Sequence, residues 1–150
     1  MFKFTLVPRR FFDTGSAQSL LSSVVLLEEN ASVKYKELPH YKAVLVYTGG
    51  DERAASILAM SDVSRTIGYY NKIVAKVWDD CVDILIAQGD RLLLCNSFPA
   101  SDNVTIQYFI FAALAQFQIN PALTVLHFMG EVPDMLVDEL FRHLKSVEVL

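Results

Sequence analysis

The residues in this chain best suited to chemistry are three carboxylates within the segment 78–83. Asp79, Asp80 and Asp83 share that segment with bulky or apolar side chains. Carboxylate oxygens are preferred ligands of hard divalent cations, and a cation held in such a turn could bind a phosphate. The segment contains no glycine, however, so its backbone N–H groups are badly placed to approach a phosphate, and Trp78 adds bulk. Because adjacent carboxylates without a cation repel phosphate, we predict no catalytic, cofactor or metal site here.

A second candidate site is the sequence Gly49-Gly50-Asp51-Glu52, which links a predicted strand to a predicted helix. A helix N-terminus behind glycines can bind an anion. This segment lacks the glycine spacing of the known phosphate-binding loops, and its two acids already complement the helix dipole. We therefore expect an ordinary strand-to-helix turn.

The remaining candidate ligands and nucleophiles are scattered: His40, His127, His143, Ser97, Ser101, Cys81 and Cys95. No histidine has a partner at the i, i+4 spacing typical of metal sites, and no serine or cysteine has a histidine beside it in sequence. We expect His127, which lies in an apolar strand, to be a core or edge histidine with a satisfied hydrogen bond.

The two cysteines are expected to be free buried thiols. With a turn at Gln88-Gly89, Cys81 would lie opposite position 96 or 97, and Cys95 opposite position 82 or 83. That register places the two sulfurs too far apart for a cross-strand disulfide. Free thiols favour a reducing, cytoplasmic location.

An aromatic recognition patch is a further hypothesis, formed by Trp78, Tyr69, Tyr70 and Phe98. Aromatic side chains more often belong to the core, and we favour that interpretation for these four.

Hydrophobic periodicity predicts the elements that would position these residues. The first half is predicted as β-α-β-β-α-β, with elements at 2–7, 16–27, 32–38, 42–48, 52–60 and, ambiguously, 63–70. The second half is predicted as β-β-β-α-β-α-β, with elements at 72–79, 82–87, 91–98, 103–118, 124–128, 134–145 and 147–150. The second order is typical of half of an actin-like or ribonuclease-H-like α/β domain, a mixed sheet with flanking helices.

Helix 103–118 is apolar over most of its circumference, which predicts burial on every side. It also carries no carboxylate. A ribonuclease-H-like nuclease needs carboxylates from this helix to hold two metal ions, so nuclease activity is disfavoured.

Composition favours some of the remaining classes of function and disfavours others. Hydrophobic residues make up 53% of the 150 residues, charged residues 20%, and the net charge is −4; mean hydropathy is +0.33. The apolar excess favours a well-buried core together with a surface patch that needs a partner. No Lys/Arg run supports nucleic-acid binding, the N-terminus has no secretory pattern, and no apolar run approaches the length of a membrane span.

Six segments together resemble an uncharacterised bacterial family, domain of unknown function 3822. They are residues 4–8 (FTLVP), 11–13 (FFD), 36–39 (KELP), 43–47 (AVLVY), 83–86 (DILI) and 91–98 (RLLLCNSF). The resemblance implies an actin-like ATPase fold of two related lobes, here 1–61 and 62–150, with no established activity. It also implies a shortened first lobe, because residues 2–8 match the middle of the family pattern, and a trimmed stretch between Met60 and Lys72.

Actin-like ATPases hold phosphates on two hairpin turns built around Asp-x-Gly, and the matching turn here, 78–83, has no glycine. After the late strand, Gly130 is followed by Glu131 where a Gly-Gly step is expected for a nucleoside. We therefore expect a non-enzymatic module that binds a protein partner or a second copy of itself. The alternatives are an ATP-binding switch or weak ATPase, and a decaying gene product.

Overall fold

The chain folds into two units, Met1–Arg65 and Thr66–Leu150. The structure is a computed structural model that describes all 150 residues. The passage between the units falls at the end of a helix; the lobe boundary expected at 61/62 remains a prediction. No helix combines the length and apolar character needed to cross a membrane.

The first unit is a three-stranded antiparallel sheet with two helices. Its elements are β1 (Lys3–Pro8), α1 (Ala17–Ser22), β2 (Lys34–Leu38), β3 (Ala43–Thr48) and α2 (Asp51–Thr66). The strand order is β1-β3-β2, so β3 is central. Its β-branched and aromatic residues are buried from Ala43 to Tyr47, as expected of a strand covered on both faces.

Helix α1 is shorter than predicted. The expected helix 16–27 ends at Ser22, where the hydroxyls of Ser22 and Ser23 donate hydrogen bonds to the carbonyls of Ser19 and Leu20. Serine side chains that bond to nearby backbone in this way compete with helix continuation.

Helix α2 is longer than predicted, and it absorbs the first part of the ambiguous segment 63–70. Residues 63–66 are helical, not extended. Met60, Ser61 and Ser64 lie on the buried face of the helix. Tertiary packing of that face outweighs the β-branched composition that suggested a strand.

The second unit has the predicted element order. Its elements are β4 (Asn71–Val77), β5 (Cys81–Gln88), β6 (Arg91–Pro99), α3 (Asn103–Gln116), β7 (Val125–Phe128), α4 (Asp134–Phe141) and β8 (Ser146–Val149). The strand order is β6-β5-β4-β7-β8. Strands β4, β5 and β6 are antiparallel neighbours, whereas β7 is parallel to both β4 and β8. This 3-2-1-4-5 arrangement is ribonuclease-H-like.

Helices α3 and α4 cover one face of this sheet. The core between them contains Ile73, Ala75, Val82, Ile84, Ile86, Ile106, Ile110, Leu114, Leu126, Phe128, Leu136 and Leu140. Leu136 and Leu140 of α4 are fully buried there, and burial of each contributes about 1.5–3 kcal/mol.

Helix α3 is not buried on every side, so that prediction was wrong. Ile106, Ile110 and Leu114 are buried, but Val104 is 76% exposed and Tyr108 is 65% exposed. The helix is therefore buried on one face only, although its composition is apolar on all faces.

The predicted pairing of the cysteines was also wrong in register. Cys81 lies opposite Pro99, and Cys95 lies opposite Leu85. The turn lies at Gly89-Asp90, one residue later than predicted, which moves the pairing by two positions, and an irregularity between Ile86 and Ala87 adds one more. A pattern of alternating residues does not reveal such a bulge. Both cysteines are free thiols.

Candidate functional site

A cavity of about 450 Å³ opens at one end of the second unit's sheet. Three segments form it: the turn between β4 and β5, the N-terminus of α3, and the segment that follows β7. Its lining includes Trp78, Asp79, Asp102 and Glu131. The turn and the glycine that the sequence singled out as phosphate-binding candidates therefore do lie near one cavity.

The β4–β5 turn is held closed by its own hydrogen bonds. The Trp78 N–H donates to the Cys81 carbonyl (2.9 Å), and the Ala100 N–H donates to the Asp80 carbonyl (3.1 Å). The Trp78 indole nitrogen donates to Asp83 Oδ2 at 2.9 Å. Asp83 is fully buried. It thus accepts a hydrogen bond within the turn, whereas Asp79 and Asp80 are exposed.

The N-terminus of α3 is capped by the protein itself. Asp102 accepts hydrogen bonds from the Thr105 N–H (2.8 Å) and the Thr105 hydroxyl (3.1 Å). These hydrogen bonds lower the pKa of the Asp102 carboxyl. The helix end that would attract an anion already has a carboxylate in place.

Lys76 supplies a cation at this end of the sheet. Its ammonium group lies where a side chain at position 130 would begin, and 5.0 Å from the centre of the Trp78 ring. Gly130 has φ +73°, a backbone conformation that glycine adopts without cost. No pattern in the sequence indicates this arrangement, because Lys76 is one polar position in an alternating strand.

The cavity is acidic overall. Asp79, Asp102 and Glu131 line it, with Lys76 near its rim at Gly130. No group of three His, Cys, Asp or Glu side chains in the chain is arranged to hold a metal ion. A triphosphate in this cavity would face three carboxylates and one ammonium group.

The Gly49–Glu52 candidate is a structural turn. A Cβ at Gly49 would collide with the backbone of Met1 and Phe2, so glycine is needed for close approach. Asp51 is bound by Lys34 Nζ (3.0 Å) and the Tyr47 hydroxyl (3.1 Å). The hydrogen bond from Lys34 holds the pKa of Asp51 below its usual value, and burial raises the pKa of Tyr47.

The three histidines are separate, as the sequence indicated. His40 Nε2 lies 3.0 Å from Asp62 Oδ1, and His127 Nε2 lies 3.1 Å from Glu148 Oε2. His127 is buried, and its Nδ1 has no hydrogen-bond partner, so its hydrogen bonding is only half satisfied. His143 packs edge-on against Phe111.

The four aromatic residues of the hypothetical patch do not come together. Tyr69 and Tyr70 lie before the first residue of β4, whereas Trp78 lies after its last residue. Each strand residue adds about 3.3 Å, so the length of the seven-residue strand separates them. Phe98 stacks on Phe109 of α3 with ring centres 4.9 Å apart.

The fold and the cavity define an α/β protein with an actin-like ATPase fold. The structure is similar to the crystal structure of a Bacteroides thetaiotaomicron protein with actin-like ATPase fold and unknown function, with TM-score 0.81 and 24% sequence identity. The match covers 99% of this chain and 65% of that chain, so this chain spans about two thirds of its neighbour's length. No curated protein matches the sequence.

The family described as "Protein of unknown function (DUF3822)" matches residues 52–147. The chain belongs to this family. The fold class and the resemblance predicted from the sequence are thereby confirmed, and an actin-like fold by itself specifies no activity.

Proposed function

We propose that this chain is a non-enzymatic protein-interaction module on an actin-like fold, and that it associates with a second copy of itself through the outer face of α3. The observation that carries the proposal is an exposed apolar stripe on that helix. The stripe consists of Val104, Tyr108, Ala112 and Ala115, all of which are exposed.

The stripe is unusual for a solvated helix. From Asn103 to Gln116 the helix contains no charged residue. A helix that is apolar on all faces normally packs on all faces, and one of these faces has no cover within the chain. We propose that a partner packs against this exposed face.

The stripe is backed by a rigid aromatic layer. Tyr108 packs edge-on against Phe109 at 5.3 Å between ring centres, and Phe109 stacks on Phe98 of β6 at 4.9 Å. A rigid aromatic group loses little conformational entropy on binding, which favours tight association.

The large and small side chains of the stripe are arranged so that two copies of it can pack together. The large side chains, Val104 and Tyr108, occupy its N-terminal half, and the small ones, Ala112 and Ala115, its C-terminal half. In an antiparallel two-fold pairing, the Tyr108 ring of one copy meets the alanines of the other. The absence of charge along the helix means that this pairing brings no like charges together.

The acidic cavity supports a role without catalysis. The Asp102 carboxylate accepts the Thr105 N–H at the helix end that an anion would approach, and the Trp78 indole bonds to the Asp83 carboxylate that a cation would use. Two free thiols, Cys81 and Cys95, support a reducing, cytoplasmic setting for this role.

Size-exclusion chromatography with light scattering tests the proposal directly. We expect the wild-type chain to dimerise in the micromolar range and Tyr108→Glu to weaken dimerisation at least tenfold, since loss of one buried aromatic contact costs about 1.5–3 kcal/mol. Tyr70→Glu is the matched control, because Tyr70 is 68% exposed outside the stripe. A wild-type monomer at about 100 μM, or equal effects of the two variants, would contradict the proposal.

An ATP-binding switch or weak ATPase is the second candidate function. The observation that favours it is the Lys76 ammonium beside Gly130, at the cavity where this fold class binds phosphates. It predicts that Mg-ATP at a hundred times its Kd stabilises the protein by about 2.7 kcal/mol, seen as a rise in melting temperature. An unchanged melting temperature at millimolar Mg-ATP would remove this candidate.

A further inference from the structure

We propose that the first unit binds a small phosphorylated ligand, of the pyrophosphate type, in a basic cavity at one end of its sheet. The cavity measures about 650 Å³ and is lined by Pro8, Arg9, Arg10 and Lys42. Its volume lies within the range of small-molecule sites, roughly 300–1,000 Å³. This inference is independent of the interaction role of α3.

The strand pairing brings these residues together from two distant parts of the sequence. Pro8, the last residue of β1, pairs with Ala43, the first residue of β3. The Arg9 N–H then donates to the Lys42 carbonyl at 2.8 Å. Three basic residues, Arg9, Arg10 and Lys42, therefore lie side by side at the same end of the sheet.

Two of the three cations have no acidic partner. Arg9 lies 3.6 Å from Glu37, and both side chains are more than half exposed. Arg10 packs over the Phe11 ring at 4.7 Å and forms no ion pair, and Lys42 forms none either. Unpaired cations in a chain of net charge −4 create a local positive field that favours an anion.

Lys42 also has an unusual backbone conformation. It ends the short 3-10 helix Pro39–Tyr41 with φ 50° and ψ 45°, the left-handed conformation. Glycine and asparagine adopt this conformation most readily at helix ends. The chain keeps a lysine where glycine would relieve strain, which places an ammonium group at the cavity.

The donors suit a diphosphate best. A guanidinium group can form two parallel hydrogen bonds to a phosphate, and a lysine ammonium serves as a point charge for a second one. A nucleic acid would need a longer row of cations. An anionic membrane would need a cluster of about four to eight basic residues, more than this end of the sheet offers.

The test is titration with inorganic pyrophosphate at low salt, followed by calorimetry and by the backbone amide NMR signals. We expect saturable binding with a Kd below about 1 mM, with the largest shifts at Arg9, Arg10 and Lys42. The Arg10→Gln/Lys42→Gln variant should bind at least tenfold more weakly. Arg142→Gln/Lys145→Gln, the same charge change on exposed residues of the second unit, should bind as wild type does.

Lys42→Gly separates binding from folding. Glycine removes the strain, so this variant should melt no lower than wild type while losing affinity. Absence of binding at about 10 mM pyrophosphate, shifts spread over the whole surface, or equal losses in both double variants would overturn the proposal.

Discussion

The Trp78 indole nitrogen donates a 2.9 Å hydrogen bond to the buried carboxyl of Asp83, across the turn between β4 and β5. The bond spans the glycine-free turn that the sequence singled out as a phosphate-binding candidate. Here the large Trp78 side chain stabilises the turn through its hydrogen bond to Asp83. The turn is consequently stabilised as a structural element, and its residues can be tested by stability as well as by ligand binding.

Trp78→Phe is expected to lower the free energy of unfolding by about 1.5–3 kcal/mol, because it removes a donor from a buried carboxyl group. The phenyl ring keeps an aromatic face near the Lys76 ammonium but is smaller than the indole, so some of the loss comes from packing. Urea unfolding followed by circular dichroism measures it. Asp79→Asn, at an exposed position of the same turn, should change the value by less than about 0.5 kcal/mol; equal stability of Trp78→Phe and wild type would contradict the role of the bond.

The elements of the second unit could be predicted from the sequence because each has a clear local signal. Pro99 and the Asp102 cap delimit β6 and α3, and the Gly89 turn delimits the hairpin. The register of the hairpin could not be predicted, because both the turn position, Gly89-Asp90, and the irregularity at Ile86/Ala87 depend on how the neighbouring strands pack.

The candidate site was predictable in part. The sequence identified the glycine-free turn and the single glycine after β7. The position of the Lys76 ammonium over Gly130 could not be predicted, because it depends on the parallel pairing of β4 with β7. The exposure of Tyr108 could not be predicted either, since an apolar helix gives the same pattern whether it is covered by its own chain or by another.

Gly130→Ala is expected to lower the free energy of unfolding by about 1–2 kcal/mol, since a side chain at φ +73° is strained. It must also displace the Lys76 ammonium. The matched control is Gly68→Ala, where no atom lies near the new Cβ and φ is not positive. Thermal melts of the two variants compare them directly, and equal losses would show that the backbone at Gly130 is not under constraint.

Asp102→Ala is expected to lower the melting temperature at pH 7 by a few degrees, because the cap of α3 is lost. The folded state holds the pKa of Asp102 below its unfolded value of about 3.9. The cap therefore stabilises the protein above that pH, and its contribution is lost as the pH falls through the lower, folded-state pKa. The difference between wild type and variant should therefore shrink as the pH falls below the unfolded value of about 3.9.

Asp102→Asn is the control for this pH dependence. Asparagine still accepts the Thr105 hydrogen bond but does not titrate, so it should retain most of the stability at pH 7. A wild-type advantage over Asp102→Ala that persists undiminished in acid would show that the charge of the cap contributes nothing.

The thiol of Cys95 is expected to be nearly inert in the folded protein. Cys95 as a whole residue is partly exposed, but desolvation of its thiol, with the nearby charge of Asp83, raises its pKa to about 12. At pH 8 only about one thiol in ten thousand would be ionised, against roughly a quarter of free cysteines. Ellman's reagent should therefore label Cys95 in a Cys81→Ser background only when denaturant is added.

The same pKa shift makes stability fall at high pH. The folded state keeps the thiol proton that the unfolded chain releases near pH 8.5, so unfolding becomes more favourable as pH rises from that value toward 12. In the Cys81→Ser background, Cys95→Ser should remove this part of the alkaline loss, because a serine hydroxyl does not titrate in that range. Rapid stoichiometric labelling of Cys95 without denaturant, or identical alkaline melting curves with and without its thiol, would place the sulfur in contact with solvent.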